Sequence, residues 1–407
     1  MTDVRPAAGP APGVTTPPGP PTTGFLRHFS RRTSSGGFIA IIDGLRFVAI
    51  GLVVLTHVAV FAAVDRGAST GRLFHLLDQG TFGVNIFFVI SGFILALPFA
   101  ASRLGKADAV PLRRYYLRRL TRLEPPYIVS LLVLAAIVVA VDHQSLSAQL
   151  PHLAAGLAYA HSAIYGDYNP INRVAWTLEI EIQFYLVVPA LTLVFLIRDA
   201  LRRRAVLVAL AVGSIALHRY VLYGISPRFG LTVIAFLAYF LAGFLVADLY
   251  LVRWQGIPRA ARRWDLVWIV GAPLLLWDLD RGMMSAWLAP TLTFVLFVAA
   301  FHGVLARRLL TNRVIFTIGG MCYSIYLLHF AVMERVYPYT RHIALGTSLT
   351  ATWLVQIVLV TPFVLVVCAA YFALVERPCM SPTWPADLRR AVNRPFRRLA
   401  IAEAVRD

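Results

Sequence analysis

Residues 41–61 read IIDGLRFVAIGLVVLTHVAVF. A helix needs roughly 20 predominantly apolar residues to cross a bilayer, and this stretch supplies them. It also carries Asp43, Arg46 and His57, which a lipid-facing surface would avoid. Ionisable groups at membrane depth are costly and face a protein interior or a site. Arg46 and His57 are 11 residues apart. That is close to three helical turns, so both lie on one face, separated by roughly 16 Å along the axis. Asp43 sits one turn before Arg46, where it can pair with it.

The rest of the chain repeats the pattern. Of 407 residues, 58% are hydrophobic and 14% charged, against about 45–50% and roughly 25% in soluble domains. Apolar runs fall near 39–64, 83–101, 125–141, 175–197, 205–223, 229–251, 264–279, 285–306, 314–333 and 348–375. The fold class is therefore all-α, a polytopic membrane protein with about ten transmembrane helices. The formal charge of +18 resides in short basic clusters between the runs, the signature of orienting loops rather than of nucleic-acid binding. The three cysteines show neither metal-ligand spacing nor a disulfide framework, and no metal is expected.

Residues 1–37 are rich in Pro, Gly and Thr and read as a disordered tail. Residues 38–380 form the membrane domain, and 381–407 a basic tail. The segment 151–165, PHLAAGLAYAHSAIY, is apolar but short. If it does not cross, RDALRRRA, RWQGIPRAARRW, ARRLLTNR and the C-terminal arginines share one side with the N-terminus. The positive-inside rule then places both termini in the cytoplasm of a multi-pass plasma-membrane protein. Residues 142–174 become an outer segment, with 151–165 interfacial or re-entrant.

Polar residues recur at defined depths. On this topology Ser91 lies mid-span, and Glu179 and Glu181 near the outer end of their helix. His329 lies in the outer half, and Glu376 at the inner end beside Arg377. Arg113, Arg114, Arg118, Arg119 and Arg122 line the inner loop. Each has an ordinary structural reading. A buried histidine more often bonds a neighbour than catalyses, an arginine cluster orients a helix, and Glu376 with Arg377 suggests a structural pair. In the outer segment, Tyr159, His161, Tyr165, Tyr168 and Asn169 suit sugar contact by stacking and hydrogen bonding, or anchoring at the interface.

The ordered motifs resemble those of the acyltransferase-3 family of integral membrane O-acyltransferases. Asp43-Gly44-Leu45-Arg46 with His57 matches its opening helix. Gly83 to Phe93 matches its Gly-Val-x-x-Phe-Phe-x-x-Ser-Gly-Phe segment. Arg119, Arg122 and Pro125 match Arg-x-x-Arg-x-x-Pro, and Trp176, Leu178, Glu181, Phe184 and Tyr185 match the next motif. Tyr323, Tyr326, Leu327 and His329 match the Ser-Tyr-x-x-Tyr-Leu-x-His segment, and Glu376-Arg377-Pro378 closes the set. Thr177 and Cys322 stand where the family usually has Ser. Some members carry a fused extracytoplasmic esterase-like domain. None is expected here, since the last span lies about 30 residues from the end of the sequence.

The resemblance implies transfer of an acyl group, often acetyl, from acyl-coenzyme A as donor substrate to a hydroxyl, typically on a carbohydrate or glycolipid, with no bound cofactor. A hydroxyl needs a base to remove its proton, and His57 suits that role. Glu181 is expected to orient His57 or stabilise its imidazolium. Arg46, Arg119 and Arg122 offer forked donors to coenzyme A phosphates. Ser91, Tyr323 and His329 complete the expected substrate-binding set. The alternatives are an O-acyltransferase of a secondary-metabolite sugar such as a macrolide, and, in a different class, a transporter or flippase.

Overall fold

The structure, a computed structural model, describes residues 25–31, 38–65, 82–281, 285–343, 348–381 and 384. The described residues form helices and connecting turns with no strand. We number the principal helices α1 (Ala40–Asp65), α2 (Gly83–Arg103), α3 (Leu112–Ala140), α4 (Leu146–Leu157), α5 (His161–Tyr165), α6 (Trp176–Leu191) and α7 (Ala200–Leu217). They continue as α8 (Val233–Asp248), α9 (Arg263–Arg281), α10 (Ser285–His302), α11 (Val304–Leu310), α12 (Arg313–Gly320), α13 (Cys322–Thr340) and α14 (Leu349–Tyr371). Without water, a lipid-embedded chain must satisfy its backbone internally, and helices do this within one segment.

Among the described residues, seven helical stretches are long and apolar enough to cross a membrane, and nine if two sharply bent pairs each count as one span. The expected runs 285–306 and 314–333 are these pairs. α10 meets α11 at 85°, and α12 meets α13 at 71°. The remaining expected run, 264–279, lies in α9, whose flanks carry Arg263, Asp265, Asp278 and Arg281. The segment 151–165 is not among the stretches long enough to cross. It divides into α4 and α5, of 12 and 5 residues, too short for a crossing.

α1 is the hub, packing on α2, α12, α13 and α14. α2 in turn lies along α8, and here glycine is required. A Cβ on Gly92 would overlap the Phe240 carbonyl, and one on Gly243 would reach the Phe93 nitrogen at 2.5 Å. The two helices thus touch through their backbones, as small residues permit in membranes. Phe184 of α6 stacks on Phe240 with centroids 3.7 Å apart. α7 is locked to α8 by a buried ion pair, in which Arg203 Nε donates to Asp248 Oδ1 at 2.6 Å and Arg204 Nε to Oδ2 at 2.6 Å.

Proline leaves carbonyls without a helical donor. Pro125 deprives Thr121 of its partner, and the Trp384 indole N–H supplies one at 2.8 Å. The expected disordered tail is also partly folded. Phe25–His28 is a short 3-10 helix, and Arg377 donates to the carbonyls of Ser30 at 3.4 Å and Arg27 at 3.2 Å. Arg377 therefore secures the N-terminal segment and does not pair with Glu376. Residues 1–24, 32–37 and most of 381–407 lie outside the described residues.

Because α2 and α8 meet backbone to backbone, Gly92→Val should force them apart. Overpacking of this kind costs typically about 1–3 kcal/mol. The expected result is a lower melting temperature and early aggregation in detergent by fluorescence-detected size exclusion. Wild-type stability would mean that the helices do not approach as described.

Candidate active site

The polar residues singled out in the sequence gather along one seam, where α1, α2, α3, α6 and α13 converge. Its lower part is a cleft of about 960 Å³, including its open mouth. Its walls hold Arg46, Arg119, Arg122, Ser91, Glu181 and Tyr323. All six of these sequence-selected residues therefore share one cavity.

Asp43 organises the base of this cleft. Its Oδ1 accepts from Arg46 and, at 3.2 Å, from Arg31. Their side chains are only 12% and 15% exposed. The Asp43–Arg46 pair was expected; Arg31 was not, because it lies in the Pro-rich tail where no periodicity marks it. Arg122 feels the charges of Arg31, Arg119 and Arg46, opposed by Glu376. The Arg119 guanidinium stands 5.8 Å from the ring centres of both Tyr115 and Tyr185. The Nε atoms of Arg31 and Arg119 are buried without a hydrogen-bond partner. Arg113 and Arg114 are exposed and outside the cleft.

Glu376 also lines the cleft. A π-helical turn, Phe372–Glu376, brings its carboxylate to the first turn of α13. There Oε2 accepts from the Ser324 backbone N–H at 3.0 Å and from the Ser324 hydroxyl. A carboxylate is favoured at a helix N-terminus, where backbone N–H groups lack partners. The bend between α12 and α13 creates that N-terminus. Tyr323 donates to the Leu123 carbonyl at 3.0 Å, tying α13 to α3.

Glu181 does not contact His57. Its Oε1 accepts from Ser91 Oγ at 2.7 Å, and its charge acts on Arg46. This corrects the expectation that Glu181 orients His57. The carboxylate faces the cleft from α6, whereas His57 lies on α1 against α13, and the partner it finds there is His329.

The two histidines define a directional chain. His329, fully buried, places Nδ1 2.9 Å from the carbonyl oxygens of Ile325 and Tyr326. Carbonyls only accept, so Nδ1 carries the proton. In a neutral ring Nε2 is then an acceptor. His57 Nδ1 lies 2.9 Å from that Nε2 and must donate to it. His57 Nε2 is left with its lone pair, the arrangement of a general base held by a second ring. Phe330 packs edge-on to His57 at 5.2 Å between centroids.

Tyr326 links this pair to the cleft. It lines the cavity, its carbonyl accepts from His329, and its hydroxyl accepts from Thr177 Oγ1 at 2.7 Å. Thr177 thus keeps the hydroxyl that the usual Ser would supply, and the departure from the motif is silent here. Cys322 lines the cleft as a free thiol. Among the described residues, no group of three or more His, Cys, Asp or Glu is placed to hold a metal.

In the expected outer segment, Asn169 is buried. Its amide donates to the His152 carbonyl at 3.1 Å, and its oxygen accepts from Ile171 N at 2.9 Å. Tyr159 donates to Glu124 at 3.1 Å, and His161 is buried beside His152 at 2.9 Å. These three are engaged by protein partners, whereas Tyr165 and Tyr168 are exposed.

The acyltransferase domain model of the acyltransferase-3 family matches residues 39–373, and the chain belongs to that family. A Staphylococcus aureus (strain COL) protein named "Putative O-acetyltransferase SACOL0978" is 25% identical over 354 residues, covering 78% of this chain and 54% of its own. The peptidoglycan O-acetyltransferase OatA of Listeria monocytogenes is 29% identical over 170 residues, 39% of this chain and 25% of its own. The O-acetyltransferase OatA of Staphylococcus aureus (strain NCTC 8325) is 23% identical over 326 residues, 73% and 51%. The chain spans about half the length of the first-named relative. No solved structure matches it.

The proton chain can be checked without an assay. In ¹⁵N-histidine spectra of the detergent-solubilised protein, His57 and His329 should both appear as Nδ1–H tautomers. His329→Ala should release His57 from that form. An unchanged His57 tautomer in a folded His329→Ala protein would show that His329 does not set it.

Proposed function

We propose that this protein is a membrane O-acyltransferase that moves an acyl group, most simply acetyl, from acyl-coenzyme A to a hydroxyl of a carbohydrate or glycan. The observation that carries the reading is the pairing of a basic cleft with a histidine whose Nε2 is held as a free base. His57 Nε2 takes the proton from the acceptor hydroxyl, and the oxygen attacks the thioester carbon. The new C–O bond forms, the C–S bond breaks, and the coenzyme A thiolate leaves and regains a proton. His329 and its two carbonyl partners hold the tautomer that makes this possible, the part that a carboxylate plays in hydrolase triads.

Arg46, Arg119, Arg122 and Arg31 bind the donor phosphates. The unpartnered Nε atoms of Arg31 and Arg119 have donor capacity to spare, and guanidinium suits phosphate geometrically. Ser91 and Glu181 line the same cleft as the arginines. The acceptor resides on the far side of His57. Donor and acceptor thus meet at the histidine pair from opposite faces of the membrane, with the arginine-rich end and both termini in the cytoplasm of a plasma-membrane protein. Relatives named as O-acetyltransferases support acetyl as the acyl group, and the one named for peptidoglycan supports a glycan acceptor.

The assay is transfer of labelled acetate from acetyl-coenzyme A in membranes expressing the protein. His57→Ala should remain folded and lose about 10²–10⁴-fold of the rate. Arg31→Gln and Arg122→Gln should instead weaken acetyl-coenzyme A binding in calorimetry, each by about 1.5–3 kcal/mol for a lost charge-assisted bond. Wild-type turnover in folded His57→Ala would remove it from the base role, and unchanged donor affinity in both arginine variants would leave them a structural one.

Orientation is tested by single cysteines in a cysteine-free protein at two exposed positions, Tyr168 and Arg202. An impermeant thiol reagent applied to intact cells should label the first and not the second. The reverse pattern would invert the topology.

A further inference from the structure

A second cavity lies beyond the histidine pair. It is walled by the last turns of α1 and the second half of α13, with Arg173 at its rim, and encloses about 790 Å³ including its open mouth. Phe61, Val64, Phe330, Glu334 and Tyr337 form its sides. None of these belongs to the six motifs that mark the family in the sequence, and none lines the basic cleft.

Its position relative to His57 gives it meaning. Phe330 is shared: its ring packs on His57 at 5.2 Å and on Phe61 at 5.3 Å between centroids. Phe61 continues to Tyr337 at 5.5 Å. An unbroken aromatic wall therefore runs from the catalytic ring into the cavity. Arg46 lies three turns before His57 on α1, whereas Phe61 and Val64 lie one and two turns after it. The histidine pair thus separates a basic cavity from an aromatic one. His57 is half-buried and meets this side through the ring of Phe330.

The chemistry of the walls selects a ligand. Aromatic rings present flat apolar surface, and Glu334, half-buried, offers acceptor oxygens. Arg173 is exposed and electrostatically coupled to Glu334. A sugar ring has apolar C–H faces and an equatorial belt of hydroxyls, which match such walls. A lipid chain would leave Glu334, Arg173 and Arg341 without use, whereas a sugar ring employs both the aromatic walls and these polar groups.

We propose that this cavity is the acceptor subsite, holding one sugar ring against Phe61 and Phe330 with its hydroxyls directed to Glu334 and Arg173. One further hydroxyl is thereby presented to His57. The proposal rests on the O-acyltransferase reading above, and it moves acceptor contact from Tyr165 and Tyr168 to the α1–α13 wall, with Arg173 the part of the 142–174 segment that takes part.

The test uses the full-length protein expressed in bacterial cells fed labelled acetate, with His57→Ala cells as the blank. Base-labile acetate on envelope glycans and on glycosylated metabolites is the readout, alongside acetyl-coenzyme A affinity of each purified variant. Glu334→Gln and Val64→Trp, the first isosteric and the second filling the mouth, should each lower glycan-linked acetate about tenfold or more, as expected when a site loses a hydroxyl partner or its space. Donor affinity should stay within about twofold, since the basic cleft is untouched. If wild-type cells gain no ester over the blank, the O-acyltransferase reading falls, and the subsite with it. If wild-type cells gain ester and both variants match them, the reading stands and the subsite is wrong. Label found only on lipid hydroxyls would replace the sugar by a lipid acceptor.

Discussion

Asp43 anchors the site by holding two guanidinium groups at once. Charges removed from water are tolerated only when paired and hydrogen-bonded, and Asp43 meets that condition for Arg31 and Arg46 at the base of the cleft. Glu181 and Glu376 add two further carboxylates to a cleft that Arg119 and Arg122 also line. Four guanidinium groups thus face three carboxylates, and two buried Nε atoms lack partners. The cavity is therefore net positive and incompletely satisfied, which is the basis for the proposed donor site. The same ion cluster joins the N-terminal segment to α1, and Arg377 holds that segment from the other side.

Helix approach sets how finely these groups are placed. α1 carries both Arg46 and His57, so any tilt of α1 moves the two ends of the site together. Gly44 meets the backbone of Leu310, while α2 meets α8 through Gly92 and Gly243. Contacts between backbones leave little freedom for rotation, in contrast to contacts made by long side chains. The glycines in the opening motifs are thus explained by packing, and the neighbouring polar residues by chemistry.

The histidine pair fixes a ring tautomer in a membrane interior without a carboxylate. Two main-chain carbonyls fix the proton on His329, and His329 fixes the proton on His57. No net charge is buried to achieve this. Glu181 is left to serve Ser91 and the cleft, where nearby guanidinium groups offset its charge.

The sequence by itself determined that the chain is an all-α membrane protein, that 151–165 is too short to cross as one helix, and which family it belongs to. Those properties follow from apolar length, charge distribution and ordered motifs, all of them local. It also placed Arg46 and His57 on one face, because helical periodicity is local too. What it could not order were the partners. The distance from His57 to His329 spans 272 positions, and only the packing of α1 on α13 decides that His329, rather than Glu181, meets His57. Arg31 has no periodic setting and becomes a site residue only when the N-terminal segment folds back onto Asp43. Glu376 and Arg377 are adjacent in sequence but separate in function, since a π-turn sends one to Ser324 and the other to the Arg27 and Ser30 carbonyls. Side-chain chemistry is written residue by residue, whereas hydrogen-bond partnership between helices depends on rotations and crossings that only the tertiary structure sets.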